Sequence, residues 1–250
     1  MQVQVEYIVN FLLILLRTSI VFALLPFFGS KILPMNFKIG LVVSVSIILA
    51  FIVEVKFSVN DISLLITTEI IFGIVLGLVA RMVFLATEMA GQLMSNMIGM
   101  SIATFYDPEV GQSNELSRLL GIIAIITFFT LDIHHEVIFL FVKSYEILPA
   151  GRVNIEALLS RLLYAVGYLS ILSLRVAAPV VIMMMLTNIV MGFISRAVPQ
   201  MNIFFVGYPV YFFIGFLTLI ISIPAYVYLF GSSYDTMKNE LMRILTVAGT

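Results

Sequence analysis

The chain has 250 residues, 62% of them hydrophobic and only 11% charged, with a formal net charge of −1. So apolar a composition excludes an ordinary soluble domain and describes a polytopic membrane protein. The near-neutral balance offers no basic face for nucleic acid, and the absence of cysteine rules out disulfides, thiolate zinc sites and iron–sulfur clusters.

Six apolar segments predict an all-α polytopic fold: Tyr7–Phe28, Phe37–Val53, Ile62–Leu85, Leu116–Leu131, Leu162–Ser195 and Ile203–Phe230. A crossing helix needs about 20 apolar residues, and an open strand cannot satisfy its backbone in lipid. The first segment has no basic stretch before it and carries Arg17 at its middle, so it does not read as a cleavable signal. The fourth is short, which suits a helix half-buried in protein. The fifth is divided by Arg175 and Pro179, and a kink is expected there. Soluble-looking breaks fall at Gly29–Asn36, Glu54–Asp61 and His134–Arg161. Basic residues divide almost evenly between alternate loops, so charge leaves the orientation open.

The third segment sets Glu69, Gly73, Gly77 and Arg81 four residues apart, on one ridge of a helix. Gly73 and Gly77 let another backbone come close, whether in simple helix packing or at a subunit contact. Glu69 and Arg81 lie about 18 Å apart along the axis, too far to pair with each other. Each needs another helix, another subunit or water. Arg17 with Glu69 is a candidate pair. An arginine at the bilayer centre costs at least about 2.5–3.5 kcal/mol, so neither Arg17 nor Arg175 should face lipid. A partner across a subunit interface is the favoured reading for both.

A second ridge of small residues follows at Thr87, Gly91, Ser95, Gly99 and Ala103, interleaved with Met89, Met94, Met97, Met100, Gln92 and Asn96. The amides would be costly against lipid, so this stretch packs on protein or lines water. Its methionines are either ordinary gap-fillers or a flexible seal around a variable object. Phe105-Tyr106-Asp107-Pro108-Glu109 then opens a turn-rich loop that runs to Glu115. That loop reads equally as a re-entrant plug or as an exposed interfacial turn.

Nothing points to an enzyme. No phosphate-cradling loop, nucleophile elbow or usefully spaced carboxylate pair is present, and no cofactor is expected. His134-His135-Glu136 lacks the i, i+4 histidine pair of helical zinc sites, so no metal site is expected either.

The most distinctive stretch comes last. From Ala197 to Tyr234 there is no charged residue and no histidine, and the run opens with Pro199-Gln200-Met201-Asn202-Ile203-Phe204 and Gly207-Tyr208-Pro209. With Asn188, Gly192, Ser195 and Arg196 before it, this string resembles the FliR/SctT family of type III export-gate proteins. Glu88-Met89-Ala90-Gly91-Gln92, leading to Phe105 and Asp107-Pro108, is a weaker second match, and Gly207-Tyr208-Pro209 looks flagellar in type. The family often has Lys two residues after that proline. This chain has Tyr211 there, so no cationic role is carried over.

The resemblance covers essentially the whole chain and implies a P-like helical part at residues 1–160 fused to a Q-like helical hairpin and C-terminal tail at 161–250. The hairpin would turn at Arg196–Asn202, and residues 105–115 would be the plug of a closed channel. FliP-like and FliQ-like subunits, a FlhB-like switch protein, membrane lipid and unfolded flagellar export substrates are the implied partners. The implied location is the bacterial inner membrane, in the export apparatus of the flagellar basal body. Two rival readings remain: a small-solute secondary transporter using Glu69, Arg81 and Arg175 near the midplane, and a purely structural membrane subunit.

Overall fold

A computed structural model of the chain describes residues 2–29, 33–53, 62–100, 115–147, 155–200 and 202–248. Every regular element among these is a helix: α1 Gln2–Leu24, α2 Pro26–Gly29, α3 Met35–Ile52, α4 Ile62–Ile98, α5 Glu115–Thr130, α6 Ile133–Ile147, α7 Ile155–Ala197 and α8 Ile203–Ala248. Five are long and apolar enough to cross a membrane, or six if α5 and α6 form one bent span. The expected all-α membrane fold is what the chain adopts.

Local chemistry sets the boundaries. Pro26 disfavours helix at the residue before it and cuts α1 from the short α2. Gly99 ends α4 with φ +88, its N–H returning to the Ser95 carbonyl at 3.1 Å, as left-handed glycine stops do. Asp132 occupies the same left-handed region with φ 54, in the break between α5 and α6. Pro199 stands just past the end of α7, and the Asn202 carbonyl accepts the first N–H groups of α8. α7 ends at Ala197 and α8 begins at Ile203. Inside α7, the helix continues through Pro179.

Three boundaries differ from the sequence reading. The third apolar segment does not stop near Leu85: one 37-residue helix, α4, carries the first ridge and Thr87, Gly91 and Ser95 of the second, while Ala103 lies outside the described residues. The break expected at His134–Arg161 holds α6 and the start of α7. The last segment runs past Phe230 to Ala248. Uncharged run length missed these pieces because they are amphipathic. Tyr234, Met237, Leu241, Ile244 and Leu245 are buried at helical spacing while Asp235 and Arg243 stay outside.

Two compact units share the helices. The first comprises Met1–Val83, Asp132–Gly167 and Tyr234–Thr250; the second comprises Phe84–Leu131 and Tyr168–Ser233. In the first, three contacts between α1 and α4 rise together along both helices. Arg17 meets Glu69, Ile20 meets Gly73, and Leu24 meets Gly77, so the two helices run parallel. In the second, Phe84 packs on Phe128 of α5 at 5.3 Å and on Phe230 of α8 at 5.5 Å between ring centroids. The Tyr226 hydroxyl beside them donates to Thr87 Oγ1 at 3.3 Å.

Candidate functional site

Among the described residues, Arg17 and Glu69 are the deepest charges in the first unit, 0% and 1% exposed. Arg17 Nε and Nη2 donate to the two Glu69 oxygens at 2.5 and 2.7 Å, a bidentate fork. Its Nη1 donates to Ser144 Oγ of α6 at 3.0 Å. The guanidinium also lies 4.1 Å from the Tyr145 ring centroid and 5.4 Å from that of Phe72. For Arg17 the favoured partner across a subunit interface is therefore replaced by the candidate pair within the chain, which ties α1, α4 and α6 together.

The ridge above it serves the same packing. A Cβ at Gly73 would stand 3.0 Å from Ile20 Cβ, and one at Gly77 would stand 2.6 Å from Leu24 Cδ1. The face considered for a partner subunit is thus taken by α1. Arg81, one step further along the ridge, lies beyond the end of α1. Its Nε is buried without a hydrogen-bond partner among the described residues.

The second ridge is also used internally. A Cβ at Gly91 would meet the Ser117 backbone of α5, at 2.5 Å from Cα and 2.8 Å from N, and Ser117 Oγ donates to the Glu88 carbonyl at 3.0 Å. Ser95 is buried. Tyr208 Oη donates to the Gly99 carbonyl at 2.8 Å, while Ile98 fills the space left by the missing side chain of Gly215. Phe105, Tyr106, Asp107, Pro108 and Glu109 lie outside the described residues, but the helix ends that flank them are held on both sides.

Alanine at Gly91 must push α5 off α4, and we expect a loss of about 1–3 kcal/mol. Gly121, also helical, has open space where a Cβ would stand, with no neighbouring atom within 4 Å, so its alanine variant should be neutral or slightly stabilising. Unfolding midpoints of the two detergent-solubilised variants, compared side by side, check the contrast.

With the small residues facing inward, α4 turns a different set outward. Met89, Gln92, Asn96 and Met97 are exposed and Met100 is half-buried, whereas Met94 sits in the core of the second unit. The suggested methionine seal therefore keeps Met89, Met97 and Met100 and loses Met94. Exposed amides beside exposed thioethers make this face unsuited to lipid.

The motif string is largely exposed. Asn188, Gly192, Ser195, Arg196, Pro199, Gln200, Asn202 and Pro209 are all exposed. Gly207 is the buried exception, set close to Met191 of α7, and Phe204 falls in the first turn of α8. Arg175 is exposed as well.

Sequence reasoning missed one charge cluster, built from pieces it read as loop or tail, and set aside the histidines of another. Buried Glu240 of α8 faces Arg243 at 3.0 Å and Arg161 of α7 at 3.7 Å, and Lys238 pairs with Glu136 at 2.5 Å. At the start of α6, Asp132, His134 and His135 hold candidate ligand atoms within 4.8 Å of one another. The two histidines are neighbours in its first turn, with ring centroids 4.0 Å apart. The groups are largely open to solvent, with His135 and Asp132 at 72% and 75%.

Residues 8–237 match the sequence model of a family described as bacterial export proteins, family 1. Individual relatives carry the same theme. The chain is 32% identical over 230 residues to the flagellar biosynthetic protein FliR of Pectobacterium carotovorum subsp. carotovorum, covering 88% of this chain and 87% of that one. It is 26% identical to the protein of that name from Bacillus subtilis, strain 168, over 92% and 94% of the two chains. For the Escherichia coli K12 protein of that name the identity is 27%, over 80% and 79%.

Proposed function

Because the chain belongs to the bacterial export proteins, family 1, we propose that it is a FliR-type subunit of the flagellar type III export gate in the bacterial inner membrane. In this reading it joins FliP-like and FliQ-like chains, with a FlhB-like switch protein as neighbour. Together they form a channel for unfolded flagellar proteins. Residues 1–160 act as the P-like part, 161–250 as the Q-like hairpin, and residues 105–115 as the plug of the idle channel.

One observation carries the need for partners. The membrane-spanning stretches of α7 and α8 are 40 and 42 residues long, yet only 39% and 22% of the most apolar window in each is buried inside the chain. The uncharged part of α8 runs from Ile203 to Tyr234, and at about 1.5 Å per residue it is roughly 48 Å long, more than the ~30 Å hydrocarbon thickness of a bilayer. Cover by partner helices suits such a length better than lipid alone, and the exposed Met89–Gln92–Asn96 face of α4 supports the same reading.

A cavity wide enough for a polypeptide is beyond one such chain, and the long unfilled faces suit an assembly better than a small-solute carrier. The direct test is export. Cells lacking the chain should retain flagellar hook and filament proteins in the cytoplasm, with export restored by a plasmid copy. Undiminished secretion without it would refute the proposal.

A further inference from the structure

We propose that Arg175 is the polar anchor of an interface with a membrane helix of a sister chain that presents a carboxylate to it. The inference rests on the reading of the chain as one subunit of an export gate, and it specifies the chemistry of one contact in that assembly.

Arg175 is exposed and, unlike Arg17, has neither ion-pair nor hydrogen-bond partner among the described residues. It interrupts α7 between two uncharged runs, Leu162–Leu174 and Val176–Ser195. Within the second unit, Ile171, Ile182, Leu186, Ile189 and Phe193 fall on the same helical stripe, each 52% exposed or more. The opposite face is filled: Leu172, Val176, Val180, Met184 and Met191 are buried. Arg175 thus stands in an unfilled apolar face of the chain.

The backbone adds a second polar group at the same place. A helical residue normally bonds its N–H to the carbonyl four positions earlier, and Pro179, four residues on, has no N–H to give to the Arg175 carbonyl. A guanidinium and a carbonyl without its usual donor therefore share one position. Hydrocarbon satisfies neither. A carboxylate takes the guanidinium as a bidentate fork, and a hydroxyl or amide donor on the same partner helix suits the carbonyl. The apolar residues of the stripe then supply the packing on either side. Compared with lipid headgroups, such a partner answers both groups and covers the stripe as well.

The test uses the tagged full-length chain, expressed with its sister chains and purified from membranes in mild detergent. Arg175→Glu and Arg175→Leu should each lower recovery of the sister chains by about tenfold or more, because each leaves the partner carboxylate buried and unanswered. Arg175→Lys should retain part of the recovery. On the unaltered Arg175 background, a photo-reactive benzoylphenylalanine at position 182 should cross-link to a sister polypeptide. That arm does not depend on how the Arg175 variants fold. Full recovery with Arg175→Leu, or cross-links from position 182 to lipid alone, overturns this inference and leaves the subunit reading standing. Failure of the unaltered chain to bring down any sister chain overturns both.

Discussion

Glu69→Ala is expected to unfold much of the first compact unit, at a cost of about 3–5 kcal/mol. The cost follows from what remains behind. Arg17 is 0% exposed, and removing its partner leaves Nε and Nη2 unanswered and only Ser144 Oγ as acceptor. An unpaired buried cation must either draw in water or force α1 off α4, and the tight seats at Gly73 and Gly77 resist the second course. A native chain is stable by only about 5–15 kcal/mol, so the loss is large on that scale.

The double variant Arg17→Met with Glu69→Leu should recover most of it, since both charges and their desolvation disappear together. Protease resistance of the solubilised chain across a temperature series checks both. Equal resistance of Glu69→Ala and the unaltered protein would show that the pair does not hold these helices together.

The second large effect concerns leakage. Deleting residues 105–115 should leave assembly with sister chains largely intact while raising ion conductance across the membrane several-fold. A path that passes an unfolded polypeptide also passes hydrated ions unless something closes it when idle. The contacts holding the flanking helices lie mostly outside the deleted span. Ile98 sits against Gly215, the Gly99 carbonyl accepts from Tyr208, and Ser117 rests on Gly91. Assembly therefore has no strong reason to fail. Conductance of the purified assembly in planar bilayers, with and without the deletion, is the measurement. Unchanged conductance in the deletion variant would remove the plug role.

Much of the fold was legible in the sequence because hydropathy reports long apolar helices directly. The close approach permitted by Gly73 and Gly77 and the Arg17–Glu69 pair were legible too, since spacing of four places residues on one ridge and an intramembrane charge demands an answer. What the ridge could not reveal was whose helix it meets. Small residues state that a backbone comes close and leave its source open, and here α1 and α5 of the same chain take those places.

The methionines stayed open between gap-filling and a seal for a related reason. Methionine fills cores and lines openings equally well, so only the rotation of α4 separates Met94 from Met89. The amphipathic end of α8 and the whole of α6 were hidden by their charges. Glu136, Lys238 and Glu240 resemble loop residues until each is seen paired on a helix face. The Asp132–His134–His135 cluster includes a left-handed residue just before α6, which no periodicity encodes.

The central claim, that α7 and α8 are long apolar surfaces built to be covered by sister chains, is tested most directly by the mass of the unit extracted from native membranes. Native mass spectrometry of the tagged chain should find it in a hetero-assembly with FliP-like and FliQ-like chains. A stable, monodisperse species containing only this chain, with no other polypeptide bound, would contradict the account.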